Sequence, residues 1–161
     1  MIVIEKLDKK DINKVLEIEK ICFGNNWIPT PFEREIDKEE CIYLVAKDNN
    51  ENKIIAYGGA WIIIDEVHIT IMGVLPDYRK NKIGQKILLN LLREGIKKGA
   101  KWATLEVKES NIPAQKLYQK FGFSVKGRRK KYYHQDGEDA LIMWTEEINT
   151  EQYKNFLDTI D

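Results

Sequence analysis

The stretch Val67–Gln85, VHITIMGVLPDYRKNKIGQ, reads as an apolar strand, a short turn at Pro76 and a basic loop that opens directly into an amphipathic helix. A strand ending in a loop that feeds a helix N-terminus aims unpaired backbone N–H groups and the positive end of the helix dipole at one point. Such a point binds anions. Arg79, Lys80 and Lys82 add three cations there, which suits a phosphorylated ligand, although the same residues also fit an ordinary connection with a solvated basic rim. Downstream, Ile83, Ile87, Leu88, Leu91, Leu92 and Ile96 recur on one side of a helix that runs to about Lys98 and stops at Gly99. Trp102–Val107 follows as a second strand, so strand, helix and strand form a right-handed βαβ unit with its two strands parallel. Open α/β sheets place their ligands at such strand ends.

Strand alternation puts Glu66, His68, Thr70 and Met72 on one face of the first of these strands and Val67, Ile69, Ile71 and Gly73 on the other. His68 reads as a structural or surface histidine. Glu106 is the odd residue in the second strand, because the run ATLEV is otherwise fit for burial and a buried carboxylate is costly unless paired, wet or protonated. A carboxylate whose pKa is raised by burial would accept a proton near neutral pH; the alternative is the polar face of a half-exposed strand. In ESNIPAQKLYQKFGF, Ser110 or Asn111 caps a helix, Pro113 sits in its first turn and Gly122 ends it. Asn111, Ala114, Leu117, Tyr118 and Phe121 share one face. Tyr118 there either packs as core or offers its hydroxyl to a partner.

The remaining chain fills out one domain. Ile2–Leu7 alternates as a strand, and Asp8 caps a helix with an apolar stripe of Ile12, Val15, Leu16, Ile18, Ile21 and Cys22. GNNWIPTP, residues 24–31, is rich in turn formers, and a short helix from Phe32 to about Lys38 follows. Trp27 in this loop either lines a substrate mouth or plugs the edge of the core. Ile42–Lys47 and Lys53–Ile64 form an antiparallel hairpin, with Gly58 and Gly59 marking a bulge or a close approach. Phe123–Tyr133 and Glu138–Glu146 make a last hairpin through HQDGED, and its basic GRRKK run is either surface or an attractor of acidic peptide. Residues 149–161 form an amphipathic tail helix that docks or frays.

Composition excludes several classes. The chain has 161 residues, 43% hydrophobic and 10% aromatic, which suits one globular core. Lysine plus arginine, 26, balances aspartate plus glutamate, 26, so no bulk attraction to nucleic acid or an anionic membrane is expected. Two cysteines without CxxC spacing fit a reducing compartment, with Cys22 and Cys41 buried and unreactive. Two histidines without metal-ligand spacing argue against a metal site. No signal peptide is read ahead of the first strand, and no apolar run approaches the roughly 18 residues of a membrane span. The expected location is cytoplasmic.

In this order the features resemble the GNAT acyltransferases, the Gcn5-related N-acetyltransferases. VLPDYRKNKIG is similar to that family's acyl-CoA phosphate loop after the fourth strand, and ESNxxAxxLYxxxGF to its next helix. CFGNNW, the LEVKESN to LYQKFGF run and GRRKKYYHQDGEDALIM further resemble the bacterial ribosomal-protein-alanine N-acetyltransferases. The resemblance spans roughly residues 1–147, leaving 148–161 as a C-terminal tail. It implies a mixed α/β acyltransferase fold of about seven strands and four helices around a central parallel strand pair. It also implies acetyl-CoA as cosubstrate and a protein N-terminus, such as that of a ribosomal protein, as acceptor. Met72, Gly73 and Val74 would bond the pantetheine arm, the loop Arg79, Lys80, Asn81, Lys82, Ile83, Gly84 and Gln85 would cradle the pyrophosphate, and Asn111 would touch the cofactor. Glu106 would be the general base, through water, and Tyr118 the general acid. Trp27, Glu66, Tyr132 and Tyr133 are acceptor-side candidates. One departure stands out: the family's RxxGxG has Lys82 at its first glycine. A positive φ there would strain a lysine by about a kilocalorie per mole or more, while its charge would favour the phosphates. A small-molecule amine acetyltransferase and a non-catalytic acyl-CoA-binding module are the alternatives.

Overall fold

The computed structural model describes residues 1–133 and 137–160, the side chains of 131–133 excepted. Seven strands, β1 (Ile2–Lys6), β2 (Cys41–Asp48), β3 (Lys53–Ile63), β4 (Glu66–Val74), β5 (Trp102–Lys108), β6 (Ser124–Tyr133) and β7 (Glu138–Trp144), form one sheet in the order β1-β2-β3-β4-β5-β7-β6. Five helices pack on it: α1 (Ile12–Phe23), α2 (Phe32–Glu35), α3 (Ile83–Lys97), α4 (Ile112–Lys120) and α5 (Glu151–Asp158). Every strand pair is antiparallel except β4 with β5. The expected mixed sheet with a central parallel pair is therefore the observed one.

Two cores flank the sheet. The larger joins α3 (Ile83, Ile87, Leu88, Leu91, Leu92) to β5 (Ala103, Leu105, Val107) and to Leu157 and Ile160 of the tail. Burying side chains of this size contributes about 1.5–3 kcal/mol each. The smaller joins α1 and α2 to Tyr43, Val45, Ile54 and Tyr57 of β2 and β3. Two close approaches occur at the paired glycines of β3. A Cβ on Gly58 would lie 2.4 Å from Ile87 Cγ2 of α3, and one on Gly59 would lie 2.5 Å from the ring of Tyr43, its cross-strand partner on β2. Gly58 thus admits α3 to the sheet, and Gly59 lets the Tyr43 ring lie over its own strand pair.

Several boundaries differ from the sequence reading. Asp8 caps a single 3-10 turn, Lys9–Asp11, before α1 begins. Ile21 is 60% exposed, whereas Glu19 is 2% exposed, so the buried stripe of α1 runs through Glu19. Cys22 and Cys41 are half-buried rather than buried, and burial pushes both thiols up. The tail docks: Thr150 Oγ1 accepts from Tyr153 N at 3.0 Å, and Tyr153 Oη donates to Phe121 O at 2.6 Å. No helix among the described residues is long and apolar enough to cross a membrane.

Candidate active site

The site begins where two strands part. β4 and β5 pair from Glu66↔Trp102 to Ile69↔Leu105 and no further. Beyond that point β4 stays with β3 as far as Val74, and β5 stays with β7 as far as Lys108. The strands diverge, and Met72, Gly73 and Val74 form the β4 side of the opening. A β-bulge sets the divergence: Gly59 pairs Ile71 and Ala60 pairs Ile69, so Thr70 is an extra residue. A bulge bends its strand and sharpens the twist. It also reverses the pleat. Val67 and Ile69 face the α3 core, but so do Met72 and Val74, while Ile71 faces the α1 core. The unbroken alternation expected for β4 is corrected at Thr70.

The basic loop follows directly. Lys80 and Lys82 both have positive φ, 67° and 61°, and Lys82 is the N-cap of α3 in the left-handed region, ψ 20°. Lysine therefore occupies a conformation that glycine would adopt without cost. α3 receives no cap bond from the Lys82 side chain. Its first-turn N–H groups and the exposed Lys80 and Lys82 together fit a diphosphate. Arg79 does something else: its Nε donates to Val74 O at 3.0 Å and its guanidinium lies 3.8 Å from Cys22 Sγ, bracing the end of β4. Asn81 Nδ2 donates to Tyr78 O and Arg79 O, and holds the loop shape. The side chains of Ile83 and Gln85 turn inward, 3% and 6% exposed, and Gln85 accepts from Lys120 Nζ at 2.7 Å. What these two offer a phosphate is backbone. Gly84 passes Met72, with 3.7 Å between a would-be Cβ and Met72 Cε, so the helix start sits against β4.

Glu106 and Tyr118 lie on opposite faces of the sheet. Glu106 alternates with Leu105 and Val107 of the α3 core, so it points to the other side. Its side chain is 31% exposed and its Oε1 lies 3.5 Å from Arg129 Nη2. Of the two readings of Glu106, the polar face of a half-exposed strand is the one observed. Tyr118, on α4, packs against the α3 core with its ring 5.9 Å from that of Phe123. Burial pushes its phenol up to about 12. Among the described residues its hydroxyl has no hydrogen-bond partner. Asn111 caps α4, its Oδ1 accepting from Ala114 N at 3.2 Å.

The acceptor-side candidates are not all together. Glu66 opens β4 opposite Trp102, four residues or ~13 Å short of the Glu106 level, and bonds His68 Nε2 at 2.9 Å. Trp27 stacks on Phe23 at 4.6 Å, and Phe23 lies 3.5 Å from the position of a Gly73 Cβ, so the 24–31 loop leans on β4. The side chains of Tyr132 and Tyr133, and the turn at Asp136, lie outside the described residues. Of the GRRKK run, Arg128 pairs with Glu109 at 2.7 Å and Asp139 at 3.0 Å, and Arg129 meets Glu106. The sequence reading missed Glu19, whose carboxylate accepts from Thr30 N, Thr30 Oγ1 and Tyr57 Oη, each at 2.7 Å. Its signal was a charge at the i+4 position from Val15 on an apolar helix face.

Comparison with known proteins gives consistent relatives. The profile of the acetyltransferase (GNAT) family matches residues 12–123. A Bacillus subtilis (strain 168) protein provisionally named a ribosomal protein bS18-alanine N-acetyltransferase is 38% identical over 136 residues, 84% of this chain and 89% of that one. The crystal structure of the ribosomal-protein-S18-alanine N-acetyltransferase from Escherichia coli superposes with a TM-score of 0.82 at 30% identity, covering 93% of this chain and 96% of that one. Arabidopsis thaliana NAA60, crystallised with acetyl-CoA, shares the fold with a TM-score of 0.80 at 18% identity, covering 93% and 100%. With the parted strands, the helix start behind a basic loop and a match over most of its length, this chain belongs to the acetyltransferase (GNAT) family.

Proposed function

We propose that this chain moves an acetyl group from acetyl-CoA to the N-terminal α-amino group of a small-subunit ribosomal protein of the bS18 kind, with Glu106 as base and Tyr118 as acid. The acceptor follows from the relatives, which are named for that alanine N-acetylation and align along most of both chains. The observation that carries the chemistry is the opening between β4 and β5, with a carboxylate on one face of the sheet and, on the other face, a phenol that has no hydrogen-bond partner among the described residues.

The residues divide the work by face. Acetyl-CoA supplies the activated acetyl thioester; the α3 start with Lys80 and Lys82 holds its phosphates, and β4 backbone at Met72–Val74 holds its arm. An α-amine has a pKa of roughly 7.7–8.0 and is largely protonated at pH 7, so its lone pair must first be freed. Glu106, reached through water, takes that proton. The amine nitrogen then bonds to the thioester carbonyl carbon, the carbon–sulfur bond breaks, the sulfur leaves with the electron pair, and the nitrogen gives up its second proton to water to become the neutral amide. Tyr118, on the opposite face, gives its proton to that sulfur. Amine and thiolate thus use separate sides of one gap.

Thiol release measured with a ribosomal N-terminal peptide and, separately, with polyamines and aminoglycosides tests the acceptor. Turnover with the peptide alone is expected. Equal or faster turnover with the small amines would replace it with the small-molecule reading.

A further inference from the structure

The buried carboxylate of Glu19 lies outside the chemistry described above, yet it is among the most completely partnered side chains in the molecule. It is 2% exposed and sits on α1, one turn before the helix ends at Phe23. Oε1 accepts from the Thr30 backbone N, and Oε2 accepts from both Thr30 Oγ1 and Tyr57 Oη, all at 2.7 Å. Hydrogen bonds to a carboxylate are about twice as strong as neutral ones, so the two from Thr30 can hold the end of a loop whose Trp27 stacks on Phe23. That loop, residues 24–31, has Gly24 at φ 85° at one end, Thr30 at the other and Trp27 between them.

Tyr57 carries the connection to the opposite side. It pairs with Gly73 in the β3–β4 ladder and is 1% exposed. Its ring Cε1 lies 2.8 Å from where a Gly73 Cβ would be, with Cys22 Sγ at 3.3 Å and Phe23 at 3.5 Å from the same point. The absence of a side chain at Gly73 lets the ring lie directly against β4 at the opening, while its hydroxyl reaches Glu19. Loop, carboxylate, phenol and cofactor strand thus form one continuous chain of contacts: Trp27 and Thr30, Glu19, Tyr57, Gly73.

We propose that Glu19 is a positioning residue that fixes the 24–31 loop as a wall for the acceptor and, through Tyr57, links that wall to the strand on which the acetyl-CoA arm lies. The proposal rests on reading Trp27 as an acceptor-side residue. Its consequence is coupling: filling the β4 side of the opening stabilises the loop, so the acceptor binds better to the CoA-loaded protein than to the empty one. By linkage the acceptor must strengthen CoA binding by the same factor.

Thr30 gives the test, because it lies half-exposed on the loop and its side chain can change while its N–H stays on Glu19. Thr30→Val removes one donor at nearly constant volume, and Thr30→Ser keeps it. For both, acceptor-peptide KM, acetyl-CoA KM and melting temperature are measured, together with peptide Kd with and without saturating CoA. Thr30→Val should raise peptide KM about tenfold with acetyl-CoA KM within about twofold, and Thr30→Ser should restore it. Tyr57→Phe, which spares the Glu19–Thr30 bonds, should remove the gain in peptide affinity that CoA gives. Wild-type peptide KM in Thr30→Val, or equal loss in Thr30→Ser, overturns the clamp, and CoA-dependent affinity intact in folded Tyr57→Phe overturns the link. Trp27→Ala separates this from the reading beneath it. Raised peptide KM in Trp27→Ala with a normal Thr30→Val leaves the loop as acceptor wall and rejects only the clamp; normal values in both remove the loop from acceptor binding.

Discussion

The phenol of Tyr118 is held protonated by burial, pushed up to about 12, while a thiol leaving group resembling cysteine has a pKa near 8.5. Proton donation from oxygen to sulfur is then feasible only at contact, as the sulfur's charge develops. Tyr118→Phe removes one oxygen and leaves the ring on Phe123. Turnover should fall by about 10² or more, with acetyl-CoA affinity and melting temperature nearly unchanged; full turnover removes Tyr118 from the mechanism. Because this phenol ionises far above the assay range, any alkaline loss of rate below pH ~10 belongs to another group. Glu106→Gln keeps shape but not basicity, so kcat should drop by about 10²–10⁴ with acetyl-CoA affinity held. Lys82 is a different kind of residue, one whose conformation and charge oppose each other. Its φ of 61° costs about 1 kcal/mol that glycine would not incur, yet it is an exposed cation at a helix start. Lys82→Gly should therefore raise the melting temperature and weaken acetyl-CoA binding, most at low salt. Tighter binding in that variant, read by calorimetry at two ionic strengths, would show that strain outweighs charge.

At the scale of elements, period and punctuation carried the sequence reading, and registry limited it. The βαβ unit was legible because an apolar strand, the Ile83–Ile96 stripe and Gly99 each point to the same structure. Tyr118 was legible on the apolar face of α4 for the same reason, whereas Asn111, read on that face, is the exposed cap ahead of it. Thr70 was not, since a bulge is a mismatch between two strands and only the Gly58–Gly59 pair hinted at it. Glu19 was passed over because its partners, Thr30 and Tyr57, lie 11 and 38 residues away, on a loop and a strand whose meeting no local pattern encodes. The glycine pair also makes a prediction. A methyl group on Gly58 would meet Ile87 Cγ2 at 2.4 Å and Leu91 Cδ1 at 3.1 Å, the middle of the α3 stripe. Gly58→Ala should thus push α3 from the sheet and destabilise the fold by about 1–3 kcal/mol, seen as a lower denaturation midpoint at unchanged slope. Since α3 also presents the phosphate loop, acetyl-CoA affinity should fall with it, whereas an unaltered midpoint would mean the helix is free to shift.

Across the whole molecule, buried and half-buried phenols stand between the layers. Tyr43 donates to Glu35 at 2.5 Å and Tyr57 to Glu19 at 2.7 Å beneath α1 and α2, while Tyr153 fastens α5 to Phe121 O and Tyr118 fills the α4 layer. Burial comes first in raising all four above the ordinary tyrosine value, with the Glu35 and Glu19 carboxylates adding to it for Tyr43 and Tyr57. The sign of the effect on stability follows from proton binding. A group whose folded pKa lies above its unfolded value of roughly 10 binds its proton more tightly when folded, so its contribution is complete below pH ~10 and is lost as pH rises toward the folded values. Exposed lysine ion pairs act in the same direction but are screened by solvent. Unfolding free energy from urea titrations should therefore show no tyrosine-linked decline up to pH ~10 and fall steeply above it. Tyrosinate absorbance separates the contributors. If the four phenols are held as the structure places them, their share of the signal from the chain's seven tyrosines emerges only as the protein unfolds. A signal for all seven tyrosines while the native circular dichroism persists would mean that these hydroxyls ionise in the folded state and that burial does not govern them.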